Sequence, residues 1–160
     1  YVDGKMVLAT AVTASGTAVD FTSIPNWVKR ITIMFNGVST SGTSLTTIRL
    51  GDSGGIESTG YAGVCANIGG TAAAYSNSSS GFETIQTGGA TIVQQGQIIL
   101  TNISGNTWVA SSMMGRSDNN FFGLLAGSKT LSAALDRVRI TTVNGTDTFD
   151  VGSINIMYEG

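Results

Sequence analysis

A chain of 160 residues with no histidine lacks the usual general base near neutral pH. With it go Ser-His-Asp and Cys-His nucleophilic machinery and the common zinc sites. Carboxylates are what remains for catalysis. Glycosidases place two of them on either side of a sugar bond, so Asp52 with Glu57, and Asp147 with Asp150, are the pairs to weigh. Asp52 and Glu57 stand in the glycine-rich stretch Gly51-Asp52-Ser53-Gly54-Gly55, where an aspartate serves a turn by bonding its own backbone. Asp147 and Asp150 have opposite strand parity and so face opposite sides of a sheet. Calcium is the other use of loop carboxylates. Asp52-Ser53-Gly54-Gly55 and Asp118-Asn119-Asn120 supply some oxygens, but neither has the EF-hand pattern, and no metal is expected. Cys65 is alone, which leaves no internal disulfide and no C-x-x-C site, and reads as a small buried hydrophobe.

Flat side chains offer a different chemistry, because sugar rings stack their C–H faces on aromatic planes. Trp27 follows Pro25 at the start of a long apolar strand and reads as core or as a subunit contact. Trp108 follows a hairpin turn and is expected to be open to solvent. Tyr75 sits in a serine-rich stretch with little core to join. Arg116, Asp118, Asn119 and Asn120 add donors and acceptors in a polar, turn-rich segment. Together with Asn77, these residues make up the candidate ligand-binding set: Tyr75, Asn77, Trp108, Arg116, Asp118, Asn119 and Asn120. No cofactor is expected. Asn77-Ser78-Ser79, Asn102-Ile103-Ser104 and Asn144-Gly145-Thr146 match the N-glycosylation pattern, but in a chain rich in Ser and Thr they read as turns.

The elements that must position these groups are strands. Alternating runs cover residues 6–12, 18–21, 27–35, 45–50, 60–68, 81–85, 91–93, 97–103, 107–114, 137–142 and 149–158. Residues 69–80 read as a long surface loop, and residues 121–126 and 130–135 are ambiguous, with 131–135 fitting a helical turn as well as a strand. Ser104-Gly105-Asn106 predicts a hairpin. So does Asn144-Gly145 between residues 135 and 159, with Gly152-Ser153 absorbing a phase slip as a bulge. About ten short strands without a convincing amphipathic helix predict an all-β fold, an antiparallel β-sandwich of jelly-roll type, in a single domain over residues 1–160. There is no repeat of the kind that builds propellers or β-helices.

Charged residues are 11% of the chain, against roughly 25% in ordinary soluble domains. Low charge lowers the cost of burying surface against a partner, and points to extensive subunit contact. A formal charge of −2 leaves no basic patch for phosphates, so nucleic acid is a poor partner. The apolar runs are far too short for a membrane-spanning helix, and no insertion is expected. Residues 1–5 lack a secretory pattern, which fits a fragment of a longer protein.

Two flanks of the chain carry a resemblance. Pro25-Asn26-Trp27-Val28-Lys29-Arg30 with its surroundings in residues 24–40 and 50–57 forms the first. The second is Asp136-Arg137-Val138-Arg139-Ile140 through Asn144-Gly145-Thr146-Asp147, within residues 135–159. Both resemble a domain at the C-terminal ends of tailed-phage tail fibre and tail proteins, whereas residues 71–120 match no motif of that family. The resemblance implies a homotrimeric tip, in the virion and outside the cell, that binds a bacterial surface polysaccharide or an outer-membrane protein. The competing expectations are a structural cap that only locks the trimer and, less favoured, an enzyme acting on a capsule.

Overall fold

The computed structural model describes residues 4–69 and 74–160, which form fourteen strands and no helix. In chain order these are β1 (Met6–Leu8), β2 (Val12–Thr13), β3 (Ala18–Phe21), β4 (Arg30–Thr40), β5 (Thr46–Asp52), β6 (Gly55–Ile56) and β7 (Tyr61–Ile68). They continue with β8 (Ala74–Ser78), β9 (Phe82–Glu83), β10 (Gln94–Ser104), β11 (Thr107–Arg116), β12 (Phe122–Thr130), β13 (Arg137–Thr142) and β14 (Phe149–Glu159). The larger sheet runs β1-β14-β4-β10-β11-β12-β7-β8, with β2 also on β14. The smaller runs β3-β13-β5-β6, with β9 on β5. All pairings are antiparallel.

The two sheets form a sandwich around one apolar core, as their alternation requires. Ile31 and Ile33 of β4, Ile98 and Leu100 of β10, and Ile154 and Ile156 of β14 point in from the larger sheet. Ile48 and Leu50 of β5 and Val138 and Ile140 of β13 meet them from the smaller one. The expected β10–β11 hairpin is present, with Gly105 at a φ of 52° in its tight turn. The Gly152 bulge is present as well, and the register slips twice, between Phe149 and Val151 and again between Val151 and Ser153. Phe149 is therefore buried while Val151, expected on the same side, is exposed. A Cβ at Gly152 would lie 2.3 Å from the Gly37 carbonyl oxygen, so close backbone contact fixes glycine there.

Several expectations fail for identifiable reasons. The Asn144-Gly145 hairpin does not exist: β13 belongs to the smaller sheet and β14 to the larger, so residues 143–148 cross between layers. A type I′ turn needs positive φ at both central residues, and of the pair only Gly145 has it, at 70°. Asn144 instead nucleates a local knot. Its Oδ1 accepts hydrogen bonds from Thr142 Oγ1 and the amides of Thr146 and Asp147, and its Nδ2 donates to Asp147 Oδ1. The 69–80 segment is not all loop, since Ala74–Ser78 adds to the edge of the larger sheet as β8. Residues 70–73 of that segment lie outside the described residues. The 91–93 run is a turn closed by the Ile92 amide on the Gly89 carbonyl, and residues 131–135 are neither helix nor strand.

Candidate functional site

The outward face of the larger sheet holds the site, and the inward face of β12 explains its content. The strand alternates Gly123, Leu125 and Gly127 inward with Phe122, Leu124 and Ala126 outward. A Cβ at Gly123 would stand 2.3 Å from Ile85 Cγ2, and one at Gly127 would stand 2.9 Å from Phe82 Cε1. The 81–85 segment thus packs flush beneath β12, and its side chains fill the core space that larger inward residues would otherwise take. Phe122 and Leu124 are left facing out.

Strand register then assembles a platform. Met113, Leu124, Ala66 and Tyr75 form one outward row across β11, β12, β7 and β8, and Gly115, Phe122 and Ile68 form the next. Tyr75 is 79% exposed, and Ile68, Met113 and Phe122 are also exposed. Tyr75 and Phe122 sit on strands two apart, about 10 Å, with Ala66 and Ile68 between them. Tyr75 stands in the row of Ala66 and Phe122 in the row of Ile68, so the two rings are diagonal to each other across β7.

At the end of this platform lies the β11–β12 connection. It touches the end of β7, because a Cβ at Gly69 would come within 2.3 Å of the Asn120 carbonyl oxygen. Ser117, Asp118, Asn119 and Asn120 are exposed. The loop is pinned at its base. The Arg116 amide donates to the Phe121 carbonyl, the Ser117 amide donates to the Val93 carbonyl, and Asp118 Oδ1 accepts from the Val93 amide at 3.2 Å. Arg116 grips Asp118 in a forked pair, with Nε to Oδ1 at 3.1 Å, and its guanidinium lies 5.4 Å from the Phe121 ring centre. The hydrogen bond from Arg116 holds the Asp118 carboxyl below the usual aspartate range. The corner therefore joins exposed aromatic and aliphatic surface to amides and an internally neutralised ion pair. Such a surface suits a ligand with apolar faces and many hydroxyl or amide groups.

Six of the seven sequence candidates fall on or beside this surface: Tyr75, Arg116, Asp118, Asn119 and Asn120 at the corner, and the exposed Asn77 farther along β8, opposite Val64. Trp108 does not join them. It points inward from β11 and is only 3% exposed, so its place is the core. Following a hairpin turn did not expose it, because strand parity overrides proximity to the turn. Ile68, Met113, Phe122 and Leu124 were missed. The signal for them was the inverted β12 pattern, with glycines on one phase and large apolar residues on the other.

The carboxylate pairs have other employment. Asp52 Oδ2 accepts from the Ser132 hydroxyl at 2.7 Å and the Ala133 amide at 2.8 Å, while its Oδ1 accepts from the Gly54 amide at 2.8 Å. Glu57 Oε1 accepts from the Ser132 amide at 2.8 Å and lies 2.8 Å from the Ser132 hydroxyl, whose single proton it shares with Asp52 Oδ2, and its Oε2 pairs with Lys129 Nζ. Lys129 in turn lies over the Tyr61 ring, 5.3 Å from its centre. Hydrogen bonding, led by Ser132, pulls Asp52 below its ordinary value. For Glu57 burial pushes upward, but the bonds from Lys129 and Ser132 outweigh it and the net shift is down. Glycosidic general acids need the opposite shift. The pair is a clasp that fastens residues 132–133 to the end of β5. Asp147 is engaged in the Asn144 knot and by the Ser44 amide, while Asp150 receives the Ser39 hydroxyl, so these two form no pair.

Cys65 is buried on β7. Burial, and then the Glu83 charge, push its thiol up to about 12, which keeps it protonated and inert. A scan against protein-family models, a search of curated proteins and a search of solved structures each found no match to this chain.

Proposed function

We propose that this chain is the receptor-binding domain at the C-terminal end of a phage tail fibre. In this reading it is a jelly-roll-like sandwich, carried on the virion as a homotrimer, that attaches to a bacterial surface polysaccharide or outer-membrane protein. The sequence resemblance of residues 24–40, 50–57 and 135–159 supports the family. The observation that carries the binding role is the corner where Tyr75, Ile68 and Phe122 stand exposed on neighbouring strands beside the 117–120 loop. Exposed rings on a rigid sheet lose little conformational freedom when a ligand stacks on them, and a polar loop at the platform's end supplies orientation. Three copies would combine individually weak contacts through multivalency. The role assigned is attachment without a chemical step; Asp52 and Glu57 are committed to the Ser132 clasp.

The test is saturation binding of the labelled domain to a panel of intact bacteria, with purified surface polysaccharide and outer-membrane vesicles as competitors. Binding to at least one strain is expected, and the variant Tyr75→Ala with Phe122→Ala is expected to bind at least about 10-fold more weakly. Unchanged binding by that double variant would remove the corner from the interface. Absence of binding to any strain, together with failure to block adsorption of phage bearing this domain, would overturn the reading.

A further inference from the structure

The chain carries eight Lys and Arg side chains, and six of them have evident partners. Arg30, Arg116, Lys129, Arg137 and Arg139 are each ion-paired, and Arg49 donates to the carbonyls of Ser80 and Val143. Lys5 and Lys29 are left. Among the described residues neither ammonium has a carboxylate or carbonyl partner, and both residues line one cavity of about 380 Å³ together with Arg30, Thr101, Asn102 and Glu159. Strand ends build this cavity. Met6, Glu159, Arg30 and Thr101 form a row across β1, β14, β4 and β10 at the end of the larger sheet. One position further on, Lys5 and Gly160 exchange amide–carbonyl hydrogen bonds at 3.0 and 3.1 Å. The Lys29 amide donates to the Glu159 carbonyl at 2.8 Å, and the Asn102 amide donates to the Lys29 carbonyl at 2.8 Å. The backbone roots of both lysines are therefore fixed. Trp27 packs behind this end of the sheet: the Lys5 ammonium lies 5.6 Å from its ring centre, and a Cβ at Gly160 would stand 2.2 Å from its carbonyl oxygen.

We infer that this cavity binds a phosphate monoester of the kind a sugar phosphate carries. Lys5, Lys29 and Arg30 against Glu159 leave an excess of two positive charges among the side chains, and of one with a terminal carboxylate counted at Gly160. A concave site dominated by one sign of charge focuses its field on a ligand of the other sign. At pH 7 a phosphate monoester carries about −1.5 to −2, where a carboxylate carries one charge, so the monoester gains more from the excess. The donors suit it as well. Arg30 meets Glu159 through Nε, at 3.3 Å, and neither of its terminal nitrogens has a hydrogen-bond acceptor among the described residues, so both can reach phosphate oxygens. The exposed Thr101 hydroxyl adds another donor. A volume of about 380 Å³ falls among small-molecule sites of roughly 300–1,000 Å³, which leaves room for the sugar beside the exposed Met6. The site is separate from the Tyr75 corner and does not depend on it. Arg116 pairs with Gln94, and Gln94 and Thr101 stand about 23 Å apart along β10.

The experiment is isothermal titration calorimetry of the chain near pH 7 in about 20 mM sodium chloride, with glucose 6-phosphate, inorganic phosphate and glucose as titrants. Glucose 6-phosphate should bind with a Kd of about 1 mM or tighter, at least about 10-fold more tightly than glucose, and should weaken by at least about 5-fold in about 0.5 M sodium chloride. Lys5→Ala with Lys29→Ala, both exposed, should keep the circular dichroism of the wild type and bind at least about 10-fold more weakly. Arg139→Ala, on the smaller sheet, should bind as the wild type does. The ratio of the two phosphates names the source: tighter binding of glucose 6-phosphate identifies a phosphorylated sugar, and equal or weaker binding identifies free phosphate. The inference is overturned if neither phosphate binds, if glucose binds as tightly, or if the folded lysine double variant is unchanged. Should that variant fail to fold, amide chemical shifts of the wild type decide. Glucose 6-phosphate must move the amides of Lys5, Lys29, Thr101 and Gly160, and shifts confined to other residues overturn the proposal. A chain that binds bacteria but no phosphate would remove this site and leave the receptor reading; one that binds phosphate but no bacterium would do the reverse.

Discussion

Tyr75 and Trp108 entered as equivalent aromatic candidates, and their positions now predict opposite behaviour. Trp108 fills core space between the sheets, so Trp108→Ala should cost about 3–5 kcal/mol of unfolding free energy, read as a lower denaturant midpoint. Tyr75→Ala removes a ring that the single chain hardly buries, and should change stability by no more than about 0.5 kcal/mol while weakening cell binding. Gly123 is the third instructive residue. With Ile85 Cγ2 and the Thr84 carbonyl oxygen inside the space a methyl would take, Gly123→Ala should destabilise by about 1–3 kcal/mol. The matching change at Gly4, which has open space around it, should be silent. A single sequence shows that position 123 is glycine; only the fold shows that the 81–85 segment lies against it.

Elements were legible where periodicity alone decides them and obscure where sheets exchange strands. The runs that became β4, β10, β11 and β14 all showed in the alternation, because each buries one face and exposes the other. The Asn144-Gly145 segment misled because local turn chemistry cannot say whether the next strand returns beside its predecessor or crosses to the opposite layer. The Ser41 and Ser44 contacts that hold the crossing come from about a hundred residues away. The long-range clasp at Asp52 and Glu57, with the bonds to Asp136 and Asp147, sets the response to acid. Asp52, Glu57, Asp136 and Asp147 all titrate below their ordinary values, so the folded state binds fewer protons than the unfolded chain. Their stabilisation is complete above the unfolded values of 3.8 and 4.5 and is lost as pH falls through the lower folded ones. Stability measured by denaturant titration should therefore be level from pH 7 to about 5 and fall below about 4.5. Glu57→Gln should shrink that acid-dependent part, and an unaltered pH profile in this variant would remove the clasp from the account.

At the scale of the whole molecule, the scarcity of charge in the composition resolves into geography. The rows from Leu8 to Asn77 and from Asn155 to Tyr75 on the outward face of the larger sheet hold no charged side chain, whereas Asp20, Arg139 and Arg49 share one row of the smaller sheet. In the proposed homotrimer, contacts made by a chain this poor in charge should respond to salt in a distinctive way. Screening acts on charges, with a Debye length near 10 Å at about 0.1 M salt, so a contact without charges has nothing to lose as ionic strength rises. Sulfate, excluded from apolar surface, should tighten it. The oligomer should thus hold its sedimentation coefficient from about 0.05 to 1 M sodium chloride and gain affinity in ammonium sulfate. The Asp20–Arg139 pair on the opposite sheet is half exposed and contributes at most about 1 kcal/mol, so its screening should leave the assembly intact. Dissociation by 1 M sodium chloride would mean that the copies meet through charged groups instead, with Arg30–Glu159 and Asp20–Arg139 the pairs to replace first.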